Sequence, residues 1–270
     1  MSALSTAERP GLKVTQARVV RSEWTKLRSV RSTYWTLFVT LLLLIGIGVL
    51  VCVIFNARWP HLDPRERFNF DALRASLVGV NFAQLAIGVL GVLVITAEYS
   101  TGMIRATLSA VPKRLPVLWA KAFVFAAVAL VLSLPAVFIV FFAGQAILAG
   151  QHINTSISHP GVLRALFGAA LYLMVMGMFG FGLGAILRST AGGISALAGI
   201  VFVLPPIITL FPASFANAVT PYLPSNAGGA VWTIKPDSNT LAPWAGIAVF
   251  VGYAIASIAV AAVLMRRRDA

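Results

Sequence analysis

Charge is what this sequence has least of. Only 11% of its 270 residues are Asp, Glu, Lys or Arg, while 59% are hydrophobic. A soluble domain carries about 25% charged residues, so a chain this poor in charge cannot clothe a water-facing surface of its size. Acids are scarcer than bases, 8 against 21, for a formal net charge of +13. Nucleic acid is one partner such an excess implies. Here the bases sit in short segments beside apolar runs, which is the pattern of membrane topology, and nucleic-acid binding is set aside. One cysteine, Cys52, lies within an apolar run; it permits no internal disulfide and no metal cluster, and reads as a small buried hydrophobe. The sequence has no Gly-x-x-x-x-Gly-Lys-Ser/Thr loop, no His-Glu-x-x-His and no Gly-x-Ser-x-Gly. No apolar run carries an ionisable side chain at its centre, as proton-coupled carriers and ion pumps usually do. The expectation is a non-catalytic membrane protein, without cofactor or metal, whose energy arrives from outside the membrane.

What is present is a series of long apolar runs. Spans are expected at 35–55, 77–97, 118–144, 165–187, 191–210 and 243–265, giving an all-α six-span fold. The cytoplasmic arm occupies 1–34 and a short tail 266–270. Within the arm, Val14, Ala17, Val20, Trp24, Leu27, Val30 and Tyr34 share one face of a helix, with Arg18, Arg21, Lys26, Arg28 and Arg31 mostly off it. An amphipathic basic helix with a tryptophan lies in the headgroup plane; the plainer reading is an arm that only sets orientation. The stretch 56–76 reads as an exposed loop with one short amphipathic helix. Pro135 predicts a kink in the third span. His152 and His159, on a polar loop without nearby Cys, Asp or Glu, make a poor metal site. Residues 211–241 are apolar yet crowded with Pro and Gly, which fits short helices lying in, or dipping into, one membrane face.

Polar and small residues inside the spans each have two readings. Asn81 and Gln84 lie three apart and mark an interhelical hydrogen bond or a substrate contact. Gly180 and Gly184 form a Gly-x-x-x-Gly pair that packs within the chain or between subunits. Glu98 marks the water boundary, or pairs with a base and fixes the following hairpin against the helices. Basic residues divide 15 to 6 between the two sides, which places both termini and the hairpin 98–121 in the cytoplasm.

The hairpin reads EYSTGMIRATLSAVPKRLPVLWAK and is broken by Pro112 and Pro116. With the basic arm, the six runs and the greasy segment before the last, it resembles the integral-membrane permease of type-2 ABC exporters over almost the whole chain. The local match rests on Glu98, Gly102, Ile104, Arg105, Thr107, Leu108, Pro112, Lys113 and Arg114, with Lys121 opening the next span; the subfamily usually has Gly-Thr where this chain has Gly102-Met103. The resemblance implies a coupling helix in this hairpin that docks on an ATP-binding subunit, a connecting helix in the arm, and a pair of short extracellular re-entrant helices in 211–241. It implies a half-transporter: two permeases, identical or different, above two ATP-binding subunits that hold ATP and Mg, exporting an amphipathic drug, antibiotic or lipid-like substrate across a bacterial plasma membrane. The alternative is a stand-alone secondary carrier or channel.

Overall fold

The structure is a computed structural model that describes residues 16–29, 31–100, 114–234 and 239–267. Every element among them is helical. Six helices are long and apolar enough to cross a membrane: Arg31–His61, Ala72–Tyr99, Leu115–Gln151, Val162–Leu187, Thr190–Ile208 and Pro243–Arg267, spans 1 to 6 below. Even the shortest, with 19 residues, reaches about 28 Å at 1.5 Å per residue, close to a hydrocarbon core of about 30 Å.

Span 4 is the hub. Its most apolar stretch is 67% buried inside the chain, against 17% for span 5. Closely packed glycines allow that burial. A methyl group on Gly180 would stand 2.2 Å from the Gly88 carbonyl oxygen, one on Gly91 2.0 Å from that of Gly177, and one on Gly184 2.9 Å from the Ile95 side chain. Spans 2 and 4 therefore touch backbone to backbone, and the Gly180/Gly184 pair is used within the chain. Gly182 gives span 6 the same closeness at Ser257. Around these lines pack Ile87, Leu90, Phe125, Phe181 and Phe250, all fully buried.

The segment 56–76 is less of a loop than its polarity implies. Ala72, Leu73, Ala75 and Ser76 are buried in a helical turn, Ala72–Leu77, that opens span 2. Asp71 caps this turn, its carboxylate accepting the Leu73 and Arg74 amides. Only Pro64–Asn69 forms a separate short helix. Span 2 breaks at Val78–Gly79, where a Cβ on Gly79 would lie 2.1 Å from the Leu44 carbonyl. Leu44 sits in a π-helical turn, Leu42–Gly46, so distortions in spans 1 and 2 face each other.

Proline marks the other irregularities. Span 3 stays helical through Pro135. Near the end of span 5, a π-helical turn, Gly199–Val203, precedes Pro205 and Pro206. Pro205 cannot donate to Val201 four residues back, and the Val201 carbonyl accepts the Ser225 hydroxyl at 3.4 Å instead. Ser225 belongs to Pro224–Gly229, which with Ala213–Val219 gives two short helices in the breaker-rich segment. The second wedges between spans 4 and 6: a Cβ on Gly228 would meet Phe250 at 2.4 Å and Tyr172 at 2.7 Å.

Candidate functional site

The N-terminal helix Gln16–Ser29 lies against the start of span 3. Val19 packs on Val117 and Ala120, and the Gln16 amide donates to the Pro116 carbonyl at 3.2 Å. One turn after Val19 the same face presents Glu23, whose side chain is 3% exposed. The inward face is thus centred on Val19 and Glu23. Trp24, expected on the apolar stripe, is 48% exposed at the surface of the chain. The helix turns a carboxylate inward because two lysines meet it there.

Those lysines complete a four-membered charge cluster. Lys26 Nζ is 2.9 Å from Glu23 Oε1 and 2.9 Å from Glu98 Oε1. Lys121 Nζ is 2.9 Å from Glu98 Oε1 and 2.5 Å from Glu23 Oε2, the latter an ion pair without hydrogen-bond alignment. Two ammonium groups thus alternate with two carboxylates, for zero net charge. Glu98 comes from the end of span 2 and Lys121 from the first turns of span 3, so the cluster ties three chain segments together. Glu98 and Lys121 are about 5% and 6% exposed, and Lys26 26%. Glu98 Oε2 has no hydrogen-bonding partner among the described residues. Beside the cluster is a cavity of about 220 Å³ walled by Leu27, Leu93, Val94 and Val124. Burial opposes the charge on Lys26, but hydrogen bonds and attraction from Glu23 and Glu98 outweigh it and hold its pKa above the ordinary lysine value.

No family model matches this chain, and none of the curated proteins matches it.

The charge cluster offers no base or nucleophile, since each carboxylate is matched by ammonium groups. It is a fastening. Removing one member of a buried charge pair costs about 3–5 kcal/mol, because the partner stays buried and unmatched. Glu98 and Lys121 both flank the hairpin, while residues 101–113 lie outside the described residues. Gly102, Ile104, Arg105, Thr107, Leu108, Pro112 and Lys113 fall among these, and Arg114 is described only as the first residue of the helix entering span 3. Arg21 and Arg28 are exposed on the N-terminal helix. At the same end, the Arg188 guanidinium stands over the Tyr99 ring at 5.3 Å, and the Thr190 hydroxyl donates to that of Thr96 at 2.8 Å.

Asn81 and Gln84 are parted. Gln84 is buried, and the Tyr172 hydroxyl donates to its amide oxygen. Asn81 is exposed and donates to the Val78 carbonyl at 3.3 Å. Glu23 and its bond to Lys121 are what the sequence reading missed. The available signal was that Glu23 is the sole acid of its helix, three residues before Lys26 and one turn from both Val19 and Leu27.

Proposed function

We propose that this chain is the permease half of an ATP-driven exporter of the type-2 ABC class. The observation that carries the reading is the charge cluster of Glu23, Lys26, Glu98 and Lys121, which joins the N-terminal helix to both roots of the hairpin. A push on that hairpin reaches spans 2 and 3 and the N-terminal helix as one body. In this reading, residues 101–113 form the coupling helix on an ATP-binding subunit, and the N-terminal helix lies in the membrane surface with Trp24, Arg21 and Arg28 toward headgroups. The helices Ala213–Val219 and Pro224–Gly229 are the re-entrant pair on the outer face. Both termini are cytoplasmic in a bacterial plasma membrane. Two ATP-binding subunits supply ATP and Mg. A second permease packs on spans 1 and 5, which are the least buried and both flank span 2. The cargo is amphipathic: a drug, an antibiotic or a lipid-like molecule.

The test is reconstitution with an ATP-binding-cassette subunit sought among the neighbouring open reading frames. The two are expected to co-purify and to export cargo only with ATP. Glu98→Gln, or Arg105→Ala with Lys113→Ala, should lower export while membrane insertion stays normal. Cysteine labelling at Ser109→Cys in a Cys52→Ser background should place the hairpin in the cytoplasm. Labelling from outside the cell, or nucleotide-independent transport driven by an ion gradient, would replace this reading with a secondary carrier.

A further inference from the structure

A second cavity lies at the opposite end of the bundle. It has a volume of about 620 Å³ and sits between the end of span 1, the helix Pro64–Asn69 and the start of span 2. Three arginines line it, one from each of these elements: Arg58, Arg65 and Arg74. None of their side chains has an ion-pair or hydrogen-bond partner among the described residues. Two acids also line the cavity. Asp71 is engaged in capping the turn behind it, and Glu66 is exposed and makes no ion pair among the described residues. Arg67, on the same short helix, is already committed: it donates to the Pro60 carbonyl at 3.0 Å and stands over the Trp59 ring.

The cavity changes character with depth. Beneath the arginines its wall is Val51, Ile54 and Val78. Val51 lies seven residues inside Arg58 on span 1, about 10 Å deeper along the helix. That depth belongs to hydrocarbon. The basic rim also stands out against the charge pattern of the chain. By sequence, the connections on this side hold 6 of the 21 basic residues, and 4 of those 6 are Arg58, Arg65, Arg67 and Arg74. Bases gathered around one cleft, at the end with the fewest, and left without acid partners, need an anion.

We propose that this cleft holds an anionic phospholipid of the surrounding leaflet, its phosphate among Arg58, Arg65 and Arg74 and one acyl chain along Val51, Ile54 and Val78. Arginine forks match phosphate oxygens in pairs, and an acyl chain satisfies the apolar depth that a soluble anion would leave empty. A basic residue near a membrane surface contributes about fivefold to anionic-lipid affinity. The site does not depend on ATP coupling and is tested on the chain alone.

The experiment is native mass spectrometry of the full chain in dodecyl maltoside, titrated with phosphatidylglycerol or with phosphatidylcholine of the same acyl chains. The wild type should bind phosphatidylglycerol at least about tenfold more tightly. The triple variant Arg58→Gln, Arg65→Gln, Arg74→Gln should bring the two lipids near parity, and Arg58→Gln alone should remove about fivefold if the triple variant does not fold. Arg67→Gln should keep the preference, and Glu66→Gln should increase it severalfold. No headgroup preference in the wild type, or one that survives the triple variant, overturns the proposal. Equal loss in Arg67→Gln reduces the effect to bulk charge and overturns it too. Competition by glycerophosphoglycerol as strong as by the whole lipid would make this an anion site and refute the acyl component.

Discussion

The two ends of the bundle bury polar groups in opposite ways. At one end four full charges meet. At the other a buried network is neutral: the Gln145 amide donates to the Ser76 hydroxyl at 2.9 Å and the Ala72 carbonyl at 3.2 Å, and accepts the Thr155 amide at 2.7 Å. Cys52 Sγ sits 3.5 Å from the same hydroxyl. The neutral network links elements that apolar packing already holds, and Gly144 lets it close, since a Cβ there would stand 2.5 Å from Ser76 Oγ. The charged cluster instead reinforces a helix that also packs Val19 and Val20 against Val117 and Ala120, rests Leu27 on the main core and bonds the Gln16 amide to Pro116. A neutral amide can lose a partner and turn to another or to water. A buried ion cannot, so losing Glu23, Glu98 or Lys121 is strongly disfavoured. The cluster is a rigid fastening, while the neutral network can adjust.

The comparison is tested most severely at Lys121. Lys121→Met leaves two carboxylates facing Lys26 alone and should destabilise the protein by about 3–5 kcal/mol, read as a fall in the unfolding midpoint in detergent. Adding Glu98→Gln to Lys121→Met should recover more than half of that loss, because the surplus charge goes with it. If the double variant is worse than the single by the full cost of another mutation, the four groups do not act as a unit.

Gln145→Leu at the opposite end should cost only about 1–2 kcal/mol. Ser76 keeps its bond to the Ala72 carbonyl at 3.0 Å, and only the Thr155 amide loses its partner. The same unfolding measurement ranks the two ends. A Gln145→Leu loss equal to that of Lys121→Met would erase the distinction drawn here.

How much of this was legible depends on the length of the signal. The spans were, because each is a run of about twenty residues whose hydropathy needs no partner to be read. The start of span 2 was not: Asp71 and Arg74 make 71–76 look like loop, although Asp71 before Ala72-Leu73 is a helix-capping signal in its own right. The inward turn of Glu23 was not legible for a related reason. Periodicity draws the apolar stripe through Trp24, but only Lys121 of a distant segment shows that Glu23 is buried. Glu98 was conspicuous as a lone acid at the end of an apolar run, but nothing in one dimension says that it shares Lys26 and Lys121 with Glu23. The Gly180/Gly184 pair was visible as a packing signal, and its partner, the Gly88 and Val92 backbone, was not.

The smallest expected effect separates the outer member of the cluster from the inner one. Lys26 keeps about a quarter of its side chain in contact with solvent, so Lys26→Met should cost about 1 kcal/mol or less, well below Lys121→Met. Its pH dependence has a definite sign. The Lys26 ammonium titrates above the ordinary lysine value of 10.5, so its stabilising contribution is complete below that value and is lost only as pH climbs through the folded-state pKa. Wild type and Lys26→Met should therefore differ by the same amount at about pH 6 and about pH 9, and converge only above the ordinary lysine range. A difference that shrinks between those two pH values would place the titrating proton on another member of the cluster, and the alternation of two ammonium and two carboxylate groups would have to be redrawn.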